Sequence, residues 1–180
     1  SAGRVDLPLV AVPLGFVLGN VAAAIVVSIV IAIVGSGTAA SLAGSVGLWI
    51  GFVGVPLAVV RRGGSSMAQG LSLTSRPLKD ALVGLPVGLA LQVGVVPALY
   101  WVLERWTGPL DVDDAARQLT EDARGVWWLG VIAVVGIGAP FAEEIFFRGL
   151  LLRSVSQRLG PVAAVVTSSV VFAASHFQIV

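Results

Sequence analysis

Polarity along this chain changes in long blocks, not by alternation. Apolar stretches are parted by short polar segments, and no strand-like period of two emerges. A membrane span needs about 20 mainly apolar residues to cross roughly 30 Å of hydrocarbon. Five stretches qualify: 7–34, 40–60, 81–103, one opening near Val126, and 161–180. Hydrocarbon offers no partner to backbone N–H and C=O groups, so each span is predicted to be a helix. Pro13 suits a helix's first turn, which places the first helix from there onward. The expected fold class is all-α, a polytopic transmembrane helix bundle of about five spans. It reads as a single bundle over 1–180, with N-terminal spans and loops in 1–125 and a helical hairpin in 126–180.

The polar connections predict orientation. Residues 35–39 ("GSGTA") form a short uncharged turn. The second span ends in Arg61 and Arg62, and the segment to Asp80 adds Arg76 and Lys79. From Glu104 to Gly125 there are six acids against three arginines, whereas Arg148, Arg153 and Arg158 follow the start of the fourth span. The positive-inside rule puts the N-terminus, the second-to-third loop and the fourth-to-fifth turn in the cytoplasm. The acidic loop then faces outward, flanked by Trp101, Trp106, Trp127 and Trp128 as an aromatic belt would be. Residues 67–82 read equally as a loop or as a short surface helix broken at Gly63-Gly64 and Pro77.

Composition supports the membrane reading. Of 180 residues 57% are hydrophobic and 12% charged, about half the charge of a soluble domain. A net charge of +1 and the lack of a basic tract give nucleic acid no foothold. There are no cysteines, which excludes disulfides, thiolate nucleophiles and Cys-ligated metals. The chain begins with Ser1 and stops inside an apolar run, so it reads as a segment truncated at its C-terminus. Its first apolar run is too long for a signal peptide. Abundant Ala, Val and Arg beside a single lysine point to a bacterial cell membrane.

One stretch conflicts with its surroundings. "FAEEIFFRGLLLR" (141–153) places Glu143, Glu144 and Arg148 where lipid should be. Ionisable groups in spans are costly and by default mark function. In a helix Glu144 and Arg148 are i, i+4 neighbours and pair, while Glu143 is turned about 100° away. That leaves Glu143 the less committed carboxylate and the candidate general base. A second stretch, "SSVVFAASHFQIV", holds His176, the sole histidine, four residues after Phe172. Between the two lies "QRLGP" (157–161), a Gly stop followed by a Pro start and the expected tip of an antiparallel hairpin. The midpoint between Glu143 and His176 falls at Leu159–Gly160, so both sit at one depth, roughly 25 Å from the tip. The fourth helix must therefore project past the membrane, and the pair lies in the cytoplasmic half. Together they can activate a water. Two groups do not complete a zinc site, which wants three protein ligands.

These residues resemble the CAAX protease and bacteriocin-processing (CPBP, Abi) family, which includes the Ras-converting CAAX prenyl endopeptidases. Its E-E-x-x-x-R motif stands here as Glu143-Glu144-Ile145-Phe146-Phe147-Arg148, and its F-x-x-x-H motif as Phe172 to His176. A third motif, His followed four residues later by Asn or Asp, is absent from this sequence, which ends four residues after His176. The resemblance covers about 139–178 and implies an all-helical intramembrane endopeptidase. It implies catalytic roles for Glu143, Glu144, Arg148 and His176, with Glu143 as water-activating base and Phe172 shaping the substrate pocket. It leaves the cofactor open, between a metal-free glutamate mechanism and a divalent ion such as zinc held in part by Glu143 and His176. Implied partners are a peptide or protein substrate, lipidated in eukaryotic members that cut after a prenylated cysteine, and membrane lipids.

The competing readings are plainer. Glu143, Glu144 and Arg148 could be a helix-end ion cluster, and His176 a polar bridge between helices. The main functional alternative is a non-catalytic immunity or scaffold protein of the same fold. A proton-relaying transporter fragment ranks last, since the polar groups cluster at one level instead of tracing a path. Asn20 and Gln92 are expected to hydrogen-bond between helices, and Gly84, Gly88 and Gly94 to allow close packing. Arg153 and Arg158 are expected to be interfacial anchors, and Phe172 a packing residue as readily as a site residue.

Overall fold

The computed structural model describes residues 6–71, 77–108 and 114–176. Among them there is no strand. Six helices carry the fold: α1 (Ala11–Val34), α2 (Thr38–Arg62), α3 (77–107), α4 (Asp114–Asp122), α5 (Trp127–Leu159) and α6 (Pro161–His176). Helices α1, α2, α5 and the Leu82–Thr107 part of α3 are each long and apolar enough to cross a membrane. Helix α6 is shorter, and residues 177–180 of the expected fifth span lie outside the described residues. The expected all-helical, polytopic architecture is what the chain adopts. The 35–39 turn is tighter than expected, since α2 restarts at Thr38. Of the short surface helix expected over 67–82, one turn forms at Met67–Gly70, and Pro77 already opens α3. Residues 72–76 lie outside the described residues.

The chain divides into two compact units, Thr74–Ala115 and the remainder. The smaller unit is essentially α3, where the Arg105 guanidinium lies 3.8 Å over the Trp101 ring.

In the larger unit α1 and α2 pack backbone to backbone. A Cβ added at Gly19 would stand 2.8 Å from the Leu48 carbonyl oxygen, and one at Gly47 2.8 Å from the Cα of Ala23. Gly51 would collide with the Gly15 carbonyl oxygen itself. Lipid is as apolar as leucine, so helix association in a membrane relies on such contact and not on burial from water. Within the smaller unit itself, a Cβ at Gly84, Gly88 or Gly94 would meet nothing within 4 Å. Asn20 does not bridge helices; its Nδ2 donates to the carbonyl of Phe16 on its own helix at 2.8 Å.

Four stretches are wound with wide, π-type turns: Ile50–Gly54, Leu91–Val95, Ile132–Gly138 and Glu144–Leu151. Three have one cause. Each is followed two residues on by a proline (Pro56, Pro97, Pro140). A helical proline lacks an N–H, and its ring crowds the carbonyl four residues back. Those carbonyls belong to Phe52, Val93 and Gly136, each inside its wide turn, where the ladder has opened to make room. Pro86 is carried within Pro77–Ala90 without such widening, so a proline permits the wide turn without forcing it. No proline follows Glu144–Leu151 closely; that turn belongs to the site.

The core of this unit is aromatic. Phe52 of α2 stacks on Phe146 of α5, with centroids 4.3 Å apart and planes within 6°. Phe147 meets both rings edge-on, at 5.7 and 5.2 Å. Phe146 and Leu150 are fully buried, as is Leu7 ahead of α1. With 33 residues, α5 extends about 50 Å, well beyond the hydrocarbon thickness. It ends at Gly160, whose φ of 83° suits glycine and whose N–H donates to the Ser156 carbonyl at 3.2 Å. Pro161 then opens α6 antiparallel to it.

Arg158, expected as an interfacial anchor, has defined partners at the hairpin tip. Its Nη1 donates to the carbonyls of Leu7 (2.7 Å) and Ser154 (3.1 Å), and its Nη2 lies 3.2 Å from Asp6. The Leu7 N–H donates to Gln157 Oε1 at 3.1 Å. The start of α1 and the α5–α6 tip are therefore at one end of this unit.

Candidate active site

The site is built on α5 and α6. Residues Ala139–Glu143 are the only stretch of α-pitch between two wide turns, Ile132–Gly138 before and Glu144–Leu151 after. Glu143 stands at the join. The motif Glu143–Arg148 thus runs from the ordinary pitch into the wide one, an irregularity commonly found at functional sites.

The two acids have different partners. Arg148 Nη1 donates to Glu144 Oε1 at 3.2 Å, the expected i, i+4 pair. Glu143 points the other way, and its Oε1 lies 3.5 Å from His176 Nε2 on α6. The depth match read from the hairpin holds to within contact distance. The surroundings are more open than expected. The Glu143 side chain is 28% exposed and His176 50%, while Arg148 is 73% exposed rather than turned into the bundle. The acid and the ring are adjacent, and Glu143 lines a groove beside them.

His176 is held from behind. Its Nδ1 lies 2.9 Å from the carbonyl oxygen of Phe172. A carbonyl can only accept, so this contact is a hydrogen bond in the tautomer that carries its proton on Nδ1. In the neutral ring Nε2 then offers its lone pair toward Glu143. Ser175 Oγ donates to the same carbonyl at 2.7 Å and lies 3.2 Å from Nδ1. The Phe172 ring tilts against the imidazole at 4.3 Å and meets Phe147 edge-on at 5.0 Å. A chain of rings therefore runs from Phe52 in α2 through Phe147 and Phe172 to His176. Because His176 is the sole histidine, a ¹⁵N-histidine spectrum has one residue to report. The neutral ring is expected to show Nδ1 protonated and Nε2 bare; the opposite tautomer would overturn this geometry.

The groove has a volume of about 600 Å³. Glu143, Glu144 and Arg148 line one part of it, and Pro140, Phe147, Leu152, Val165 and Phe172 supply apolar walls, with Ser168 and Ser169 on α6. Phe147 and Ser168 escaped the sequence reading. Ser168, Phe172 and His176 stand at i, i+4 and i+8, a single face of α6, and that spacing was the available signal for Ser168. Phe147 looked like one more apolar residue.

Residues 125–179 match the family model described as Type II CAAX prenyl endopeptidase Rce1-like. The match covers 55 of the 180 residues. The match spans α5 and α6 and contains both motifs, which bears out the resemblance to the CAAX protease family. No curated protein and no solved structure matches the chain. Together with the four membrane-length helices, this match indicates an integral membrane protein. For a metal, Glu143 and His176 fall short of the three protein ligands of a catalytic zinc. Among the described residues no third His, Cys, Asp or Glu joins them, so these residues do not make a zinc site by themselves.

Proposed function

We propose that this chain is the core of an intramembrane endopeptidase in which Glu143 activates water against a peptide bond. The observation that carries the reading is the 3.5 Å approach of Glu143 Oε1 to His176 Nε2 across two helices, at the edge of an apolar groove. Both atoms are acceptors when the ring is neutral. A water in the groove can donate one O–H to each, leaving its lone pairs facing the substrate. Glu143 takes a proton as the water oxygen bonds to the scissile carbonyl carbon. The C–N bond then breaks, and the proton passes from Glu143 to the departing amine. The Glu144–Arg148 pair fixes the first turn beyond Glu143, and Phe172 holds His176 while walling the groove. The substrate is a peptide, in keeping with the Rce1-like match, and a lipidated one fits a groove with apolar walls. The reaction would take place in the cytoplasmic half of a bacterial membrane.

The test is direct. Reconstituted in proteoliposomes, the protein should release the terminal tripeptide from a peptide ending in a prenylated cysteine plus three residues. Mass spectrometry reads the product. No release from this peptide or from its unprenylated counterpart, with the helices intact by circular dichroism, would favour the non-catalytic scaffold instead.

A further inference from the structure

We infer that Ser168 is a positioning residue for the candidate site: its hydroxyl ties the wide turn that carries the E-E-x-x-x-R motif to the helix that carries His176. The inference rests on the endopeptidase reading for its catalytic consequence, and on geometry alone for the tie.

Ser168 is buried on α6, at 7% exposure. Its Oγ donates to the carbonyl oxygen of Phe147 on α5 at 3.2 Å. That carbonyl is not an ordinary one. It also accepts the N–H of Leu152, five residues on, the bond that closes the Glu144–Leu151 wide turn. Three other wide turns in the chain are explained by a following proline; this one is not. Ser168 supplies a donor from outside the helix to the carbonyl where the wide turn closes. Serine in a membrane helix commonly spends its hydroxyl on its own helix four residues back, as Ser28 does on Ala24. Ser168 instead spends it across the interface.

The consequence follows from who sits on each side. Phe147 lies between Glu144 and Arg148, so the turn fixed at its carbonyl sets the direction of that ion pair and of Glu143 just before it. Ser168 shares its face of α6 with Phe172 and His176. The Phe147 ring, edge-on to Phe172 at 5.0 Å, completes the link. One hydroxyl thus locks acid-bearing and imidazole-bearing elements in register, a tolerance that catalysis needs to well under 1 Å. Ser168 touches no reacting atom in this scheme.

Two measurements test it on the full chain in proteoliposomes. In hydrogen exchange, Ser168→Ala should speed amide exchange over 148–152 about tenfold or more, while Ser168→Thr, which keeps the hydroxyl, should stay near wild type. Unchanged exchange in Ser168→Ala overturns the tie whatever the substrate. With the prenylated peptide, Ser168→Ala should lower kcat about five- to thirtyfold with KM within twofold, and Ser168→Thr should recover most of it. Equal loss in Ala and Thr variants, accompanied by lowered thermal stability, would mean simple packing and would also overturn the inference. Glu143→Gln run in parallel separates the two readings. If it leaves cleavage intact, the endopeptidase mechanism fails; if it abolishes cleavage and Ser168→Ala does nothing, only the role of Ser168 fails.

Discussion

Replacing Glu143 with Gln is expected to lower peptide cleavage by about 10²- to 10⁴-fold, the range of a positioned general base. The change is nearly isosteric, so packing is kept. What is lost is the carboxylate facing His176 at 3.5 Å. An amide cannot take the proton of an attacking water, and its NH₂ would donate to Nε2, filling the acceptor that the water needs. Glu143→Asp retains the chemistry but shortens the reach by one methylene, and should recover part of the activity. The effect on the fold should be small in both, because the Glu143 side chain is 28% exposed and its only described partner is half-exposed. Glu144→Gln offers the contrast. That carboxylate faces Arg148 and not His176. Its loss should disturb placement, with a smaller fall in kcat than at Glu143. Assays of initial rate on the prenylated peptide read all three variants. If Glu143→Gln and Glu144→Gln fall equally, the division of labour between the two acids is wrong.

How far that division was visible in advance can be traced residue by residue. The i, i+4 rule was enough for Glu144 and Arg148, since helix periodicity survives a modest widening. The pairing of Glu143 with His176 was legible because a hairpin with a sharp Gly160-Pro161 tip has fixed arithmetic: residues equidistant from the tip meet. Helix ends were legible to within about four residues, from glycine and proline positions. The wide turns were not. Prolines mark three of them in hindsight, but Pro86 shows that the mark is not sufficient, and Glu144–Leu151 carries no mark at all. The openness of the site was also hidden, because hydropathy reports that a segment prefers lipid or protein, not which face meets a groove. The partners of Arg158 were hidden for a related reason. Its true partners, Leu7 and Asp6, lie 151 and 152 residues away, and no local pattern encodes a contact of that range.

Glycine shows the limit most clearly, and it leads to the largest expected effect on the fold. Three pairs of glycines share the small-xxx-small spacing: Gly15 and Gly19, Gly47 and Gly51, Gly84 and Gly88. Spacing alone gives them equal standing as helix contacts. The structure separates them. The first two pairs face each other across α1 and α2, whereas a Cβ at Gly84 or Gly88 would meet nothing within its own unit. Gly51→Ala should therefore destabilise the bundle by about 1–3 kcal/mol, the usual cost of overpacking, and Gly51→Leu by more than that. The obstacle is backbone, the Gly15 carbonyl and the Gly19 amide and Cα, which cannot swing aside as a side chain would. Gly88→Ala should be neutral or gain up to about 1 kcal/mol through better helix propensity. Unfolding by a denaturing detergent, followed by tryptophan fluorescence, measures all three. The consequence reaches the site through one residue. Phe52 follows Gly51 on α2 and stacks on Phe146, which in turn meets Phe147. Forcing α1 off α2 at Gly51 shifts the base of the ring chain that ends on His176, so Gly51→Ala should also lower cleavage even where most molecules remain folded. A Gly51→Ala protein with wild-type stability would show that α1 and α2 do not meet at these glycines.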